Sequence, residues 1–401
     1  MSISTQKLRN IFKLTRVNHV ETNNDVPHFT PWLPLAQKVK PVTPSAIIYC
    51  EGNFGAIDGK TANGLVRHSL SYRILSVIDS ESEGLDAGEV LDNKANGIPI
   101  VANVEDAIIH AENIPDYFIF GIAPSSGFLS DLDKSIILNA MSQGMNIVNG
   151  LHEFLTDDPL FLEASLKNNV RIIDTRKPKS KGELKTFSGK IHSVKCPRIA
   201  VMGTDCALGK RTTATILANE LTKKGLNVVL IATGQTGIIQ GAQYCVALDA
   251  VPSQFCAGEL ESVIVQAYEK ENPDLIIIEG QGALSHPAFS TSAFILRGSC
   301  PTGVILQHAP KRLYRSDFPV YPMPSVASEI NLIETFSDTN VIGLTLNHED
   351  MSLDETCRAI DWYSNELGLP VTDPLSQPVD HLLRIVNSAF PMIASKLAEK
   401  G

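Results

Sequence analysis

A hydrophobic run, Ile199 to Met202, leads straight into the segment GTDCALGKRTT, residues 203 to 213, which gives way to a helical pattern over Thr212 to Lys224. Strand, glycine-bracketed turn and helix in that order leave few options for the backbone, which must wrap tightly and then present a helix N-terminus. Successive N–H groups in such a turn form a nest for an anion, and Lys210 adds a point charge for a distal phosphate. The spacing departs from the common phosphate loop. Five residues separate Gly203 from Gly209, and Arg211 stands where a magnesium-binding hydroxyl is usual, with Thr212 or Thr213 offering one slightly later. Gly203, Thr204, Asp205, Cys206, Ala207, Gly209, Lys210, Arg211, Thr212 and Thr213 are therefore the candidate phosphate-binding residues.

Around this loop, short apolar runs alternate with helical stretches, the pattern of βαβ units and a parallel sheet. Residues 45–176 read as a Rossmann-like parallel-sheet domain, and 198–401 as a doubly wound α/β domain of the P-loop NTPase type. Strands are expected at Ala46 to Cys50, Arg73 to Ile78, Pro99 to Ala102, Tyr117 to Ile122, Asn146 to Val148 and Val170 to Asp174, with one helix running from Leu151 to Asn169. Residues 177–197, rich in lysine and poor in apolar periodicity, read as a solvated linker with a short hairpin at Ser188 to Val194. In the second domain strands are expected at Val228 to Ala232, Leu275 to Ile278, Gly303 to Gln307 and Val341 to Leu346. A helix follows from Leu353 to Leu367, with Trp362 and Tyr363 on or near its buried stripe.

The 401 residues carry 44 acids against 34 bases, a net charge of −10. That excludes the global positive field of a nucleic-acid or anionic-lipid binder. Seven cysteines without a CxxC pair fit a reducing cytoplasm, with neither a disulfide framework nor a structural zinc site. No run approaches the ~20 apolar residues of a membrane helix. Residues 1–44 form an extension whose first acid is Glu21 and which carries Lys7, Arg9, Lys13 and Arg16. It reads as a short basic arm, although its composition also resembles an organellar transit peptide.

Other chemistry gathers at expected strand ends. Glu279 ends an apolar strand and is followed by Gly280 and Gly282, which points its carboxylate into the crevice where open α/β sheets bind ligands. It is the favoured general base, with His286 as acid or base in reserve and Asp205 as a further proton acceptor; the alternatives are a loop histidine and a loop-capping aspartate. Cys206 reads either as a thiol activated at a helix N-terminus or as a small buried residue. Lys311, Arg312 and Arg315 concentrate cations suited to a substrate carboxylate. In the first domain, the Gly-rich stretch from Glu51 to Gly59 ends on Lys60 and Thr61, a second candidate substrate surface, while Asp79 stands where a Rossmann domain often holds a ribose acid.

The GTD and GK residues of the loop, together with Glu279 and its glycines, resemble dethiobiotin synthetase and its relatives over the second domain. This resemblance implies ATP handling and places Asn347 against a purine. The whole chain from about Ser45 resembles more closely the two-domain DUF1611 family, through GKTANGLVRHS (59–69), VIDSESEGLDAGE (77–89), GIPIVANVEDAI (97–108), NGLHEFLTDDP (149–159), GTDCALGKRTTA (203–214) and EGQGALSHP (279–287). That family includes D-glutamate N-acetyltransferase. The resemblance implies an acyltransferase that moves an acetyl group from acetyl-CoA to the amine of a small acidic amino acid, D-glutamate first. The expected protein is a cytoplasmic homo-oligomer with a small-molecule substrate. A magnesium-ATP-dependent ligase or kinase and a non-catalytic nucleotide-binding protein are the alternatives.

Overall fold

Alternating apolar runs build two parallel sheets in succession in the computed structural model of the chain, which describes residues 43–124 and 126–400. The basic arm and Ser125 lie outside the described residues. The first sheet takes β1 (Ser45–Tyr49), β2 (Arg73–Ile78), β3 (Ile100–Val101), β4 (Tyr117–Phe120), β5 (Asn146–Asn149) and β6 (Ile172–Asp174) in the order β3-β2-β1-β4-β5-β6. Its helices are α1 (Lys60–Arg67), α2 (Ala87–Asp92), α3 (Val104–Ala111), α4 (Asp131–Ser142) and α5 (Pro159–Asn168). Side chains alternate across the pleat, so Ile47, Phe118, Phe120 and Ile147 pack with Ile137 and Met141 of α4, while Ile48, Ile119 and Val148 pack with Ala62 and Leu65 of α1.

The second sheet runs β15-β14-β11-β7-β10-β8-β9. Its strands are β7 (Arg198–Gly203), β8 (Val228–Ala232), β9 (Tyr244–Cys245), β10 (Leu275–Glu279), β11 (Gly303–His308), β14 (Val341–Leu346) and β15 (Val371–Thr372), with a separate hairpin of β12 (Tyr314–Arg315) and β13 (Phe318–Pro322). The helices are α6 (Lys210–Lys223), α7 (Gln235–Ile239), α8 (Ser253–Glu271), α9 (Thr291–Ser299), α10 (Val326–Phe336), α11 (Leu353–Leu367), α12 (Val379–Ala389) and α13 (Pro391–Lys400). Ala200, Met202, Ile276 and Ile278 face one layer, and Ile199, Val201, Leu275 and Ile277 face α6 and α12. No helix among the described residues is long and apolar enough to cross a membrane.

Three expectations are corrected. The helix expected from Leu151 begins only at Pro159, because Asp158 caps it, accepting from the Leu160 N–H at 2.9 Å, and proline fits the first helical position. The stretch before it is a loop tied to Asp174 by Leu155 and Thr156. Residues 177–197 keep their lysines exposed, as a solvated linker would, but form no hairpin: their backbone is strapped to α8 through Glu259 and Glu261, with a 3₁₀ turn at Lys190–Ser193. Gly258 makes this possible, since a Cβ there would lie 2.3 Å from the Lys185 carbonyl oxygen. Trp362 is 58% exposed rather than buried, resting edge-on against Tyr363, which alone of the two packs onto the core.

Candidate functional site

The phosphate loop leaves β7 at Gly203, where a Cβ would stand 2.9 Å from the Lys210 side chain, and closes through Ala207 and Gly209 at φ of +49° and +94°. Arg312 braces it from behind. Its Nη1 donates to the Cys206 carbonyl at 2.8 Å and to Asp205 Oδ2 at 3.1 Å, and its Nη2 to the Ala207 carbonyl at 3.2 Å. Glu349 fixes the guanidinium with two bonds of 2.7 Å. Asn347 donates to the Leu208 carbonyl at 3.2 Å, and Lys210 Nζ to the Asp205 carbonyl at 2.5 Å. With these carbonyls tied back, the N–H groups of the first turn of α6 are left without a capping side chain, as a helix N-terminus that meets an anion would be. Burial lowers the Lys210 ammonium below its ordinary value, so an anion beside it would restore what desolvation removes.

The residues after the lysine do not supply a magnesium site in the usual way. Arg211 turns toward the neighbouring domain, its Nε donating to Gln240 Oε1 at 2.9 Å and its Nη1 lying 3.6 Å from Glu279 Oε2. Thr213 Oγ1 is buried against Gln307 Oε1 at 2.6 Å, an oxygen it shares with Thr345. Thr212 is half-buried on the first turn. Thr204 is buried, bonded through Oγ1 to His308 Nδ1 at 2.9 Å. Burial, with Arg312 nearby, pushes that imidazole down to about 4.

Glu279 does end a strand beneath the crevice, but it is enclosed. Its Oε2 accepts from the Thr233 N–H at 3.1 Å, and Gly237 covers it so closely that a Cβ there would lie 2.9 Å away. Burial raises its carboxyl above the ordinary range against the pull of Arg211 and the Thr233 N–H. His286 is also buried, stacked on Phe289 at 4.6 Å. Its Nδ1 accepts from the Phe289 N–H at 3.1 Å, which puts the proton on Nε2, and that atom lies 3.8 Å from Asp205 Oδ1. Both of these facing atoms are buried without a hydrogen-bond partner. Burial, then Arg315, holds the ring below its ordinary value. Asp205, Cys206 and His286 place one ligand atom each within 4.8 Å of one another. A protonated Nε2 offers no lone pair to a metal, and Arg312 and Arg315 already stand beside Asp205. Burial pushes the Cys206 thiol up to about 11, which argues against an activated nucleophile.

The three clustered cations part company. Lys311 lies on the surface, paired with Glu355 at 2.8 Å. Arg315 is buried, donating to the Thr204 carbonyl at 3.1 Å and to Ser285 Oγ at 2.8 Å. Neither arginine is free to grip a substrate carboxylate, because loop carbonyls and buried carboxylates already hold both. Lys60 is exposed at the start of α1, and its charge acts on the Cys206 thiol, so it stands near the mouth of the loop. Thr61 is buried where the two domains meet, its Oγ1 lying 3.2 Å from Thr236 Oγ1. Sequence reasoning missed the residues that join the domains: Gln240, whose Nε2 donates to the Gly64 carbonyl at 2.7 Å, and Arg176, which reaches Asp249 and Gln235.

Fold and site together define a two-domain α/β protein in which a phosphate-binding loop faces a Rossmann-like partner domain. Residues 80–178 match the DUF1611_N Rossmann-like domain and residues 185–383 the DUF1611_C P-loop domain, both described as domains of unknown function. The chain belongs to the DUF1611 family. It is 34% identical over 272 residues to a D-glutamate N-acetyltransferase of Pseudoalteromonas sp, covering 66% of this chain and 80% of that protein. A D-glutamate N-acetyltransferase of Tritonibacter scottomollicae is 28% identical over 262 residues, covering 64% of this chain and 76% of its own length. The crystal structure of a DUF1611 family protein from Anabaena variabilis ATCC 29413 superposes with a TM-score of 0.79 at 32% identity, over 86% of this chain and 99% of that one. These relatives place the chain among acyltransferase enzymes.

Proposed function

We propose that the protein transfers an acetyl group from acetyl-CoA to the amine of a small acidic amino acid, D-glutamate first. The observation that carries this reading is the direction of Arg211 and Thr213. The loop presents a helix N-terminus and Lys210 to an anion, while these two side chains are engaged elsewhere, so it is suited to holding phosphate without hydrolysing it. The names of the two similar proteins support an acetyl group as the cargo and D-glutamate as the acceptor. Residues 203–213, backed by Asn347, would hold the phosphates of CoA. Lys60, exposed near the mouth, would attract a carboxylate of the acceptor, with Thr61 at the same edge.

The test mixes purified protein with acetyl-CoA and each glutamate enantiomer and follows the free CoA thiol. Release with D-glutamate supports the reading. Absence of release with every acidic amino acid, together with magnesium-dependent phosphate release from ATP, would replace it with a ligase or kinase.

A further inference from the structure

Coenzyme A separates its phosphates from its thioester by the long pantetheine arm. A loop that holds the phosphates therefore delivers the reacting carbon to a different place, and the acceptor amine must be bound there. The first sheet offers that place. In its order β3-β2-β1-β4-β5-β6 the direction of travel reverses between β1 and β4, which makes this edge the topological switch point outside which open α/β sheets bind ligands. Here the other domain closes over that edge. Gln235 of α7 lies against Gly150, where a Cβ would meet its side chain at 3.2 Å, and Thr236 lies against Gly64. Lys60 begins α1 on the same edge, next to Thr61 at Thr236, and α1 is joined to the phosphate loop through Gln240, which bonds both Gly64 and Arg211, so this edge adjoins the loop.

A titratable pair spans this junction. His152 follows β5, its N–H donating to the Gly127 carbonyl at 3.2 Å and its ring lying on Gly127, where a Cβ would come within 3.1 Å of Cδ2. Gly127 has a φ of +74°. The ring is thus backed by one domain while its Nε2 faces Asp249 Oδ2 of the other at 3.8 Å. Asp249 is held by Arg176 at 2.8 Å and 3.0 Å, yet its Oδ1 is buried without a partner. Arg176, 8% exposed, also donates to Gln235 Oε1 at 2.8 Å. The charged groups that act on His152 are Arg176 and Asp249, and Glu153 beside it is engaged by Lys134 at 2.6 Å. Burial and then Arg176 hold the imidazole below its ordinary value, so it is neutral at pH 7 and able to accept a proton.

We propose that the acidic amino acid binds in this interdomain crevice beside Lys60 and that His152, oriented by Asp249, accepts the proton of the attacking amine. Nε2 lies 3.8 Å from Asp249, and the tautomer that carries its proton there leaves the lone pair on Nδ1. The ammonium first loses one proton to water. The free amine then attacks the thioester carbonyl, the N–C bond forms as the C–S bond breaks, the nitrogen's second proton passes to Nδ1, and the departing thiolate recovers it as CoA thiol. Asp249 is a positioning residue in this scheme and Lys60 a carboxylate-binding one.

The inference rests on the acetyltransfer reading, and the experiment separates the two. CoA release is measured with acetyl-CoA and D-glutamate for the wild type, H152Q, D249N and K60A, and acetyl-CoA affinity by titration calorimetry. H152Q is expected to lower kcat by roughly 10²-fold or more, the range of a general base, with acetyl-CoA affinity unchanged. K60A should raise KM for glutamate. D249N leaves Arg176 unopposed, so the acid limb of the pH profile should move to lower pH. A wild-type enzyme that turns over while H152Q keeps its kcat overturns the inference and leaves the acetyltransfer reading standing. A wild type that releases no CoA overturns that reading; the crevice is then judged by the His152 imidazole resonances, and their indifference to added glutamate would remove the site as well.

Discussion

Arg211 Nε donates to Gln240 Oε1 at 2.9 Å, and the amide nitrogen of the same glutamine donates to the Gly64 carbonyl of α1 at 2.7 Å. The residue that follows the phosphate-loop lysine is therefore tied, through one side chain, to the Rossmann-like domain. Its Nη1 lies toward Glu279, so the loop, the carboxylate at the end of β10 and the docked helix share one polar cluster.

Lys210→Ala should weaken acetyl-CoA binding by about 1.5 to 3 kcal/mol, the range for hydrogen bonds to charged groups. Lys210→Arg should restore it only in part, because the lysine stem passes close to Gly203 and its compact ammonium sits on the Asp205 carbonyl, a path a planar fork does not fit. Calorimetry reads both. Unchanged affinity in a folded Lys210→Ala variant would make the loop a structural turn.

Arg312→Ala should act on the same affinity and not on the KM for the acidic substrate. The guanidinium holds two loop carbonyls and Asp205, and its loss leaves Glu349 and Asp205 without their shared counter-ion. Loss of acetyl-CoA affinity of at least tenfold is expected. Lys311→Ala, which removes an exposed pair with Glu355, should change stability by about 0 to 1 kcal/mol and activity little. An Arg312→Ala enzyme whose only defect is a raised glutamate KM would return this side chain to the substrate site.

The phosphate loop was legible because everything that specifies it is local: a β-branched strand, glycines at its turns and a helix directly after. The roles of Lys311, Arg312 and Arg315 were not, because three cations close together in sequence look alike until their partners are known. Those partners are Glu355, Glu349 and Ser285, on segments remote in the chain. The lysine-rich stretch before β7 was legible in part. Its composition reads as solvent-exposed and its lysines are, but nothing local shows that two carboxylates some seventy residues later capture its backbone. Glu279 was placed correctly at a strand end, but its enclosure depends on Gly237, which follows a different strand.

Glu261→Ala should loosen that strap. The carboxylate accepts from the Ser188 N–H at 2.7 Å, the Ser188 hydroxyl at 2.8 Å and the Ile191 N–H at 3.1 Å. Losing it strands the buried Ile191 N–H and frees the two Ser188 donors, at about 1 to 3 kcal/mol. Burial pushes this carboxyl up, but the donors together outweigh it and the group lies below its ordinary value. Its contribution is therefore present above the unfolded value of about 4.3 and is lost as pH falls through the lower folded value. Chemical unfolding should show wild type and Glu261→Ala converging in acid. A difference that stays constant down to the acid limit would show that the carboxylate does not carry the strap.

Glu279→Gln distinguishes an enclosed anchor from a base. The glutamine keeps an acceptor for the Thr233 N–H but leaves Arg211 without its opposing charge, in a cluster that reaches both the phosphate loop and α1. An anchor predicts that kcat and acetyl-CoA affinity fall together. The carboxyl is raised by burial, so its contribution to stability is present below the unfolded value and lost as pH rises through the folded one. Glutamine does not titrate. The stability of wild type relative to Glu279→Gln should accordingly decline from acid toward neutral pH, as read from unfolding midpoints. A kcat loss of roughly 10²-fold with acetyl-CoA affinity intact would instead make Glu279 the proton acceptor, since that split marks an interaction made only in the transition state.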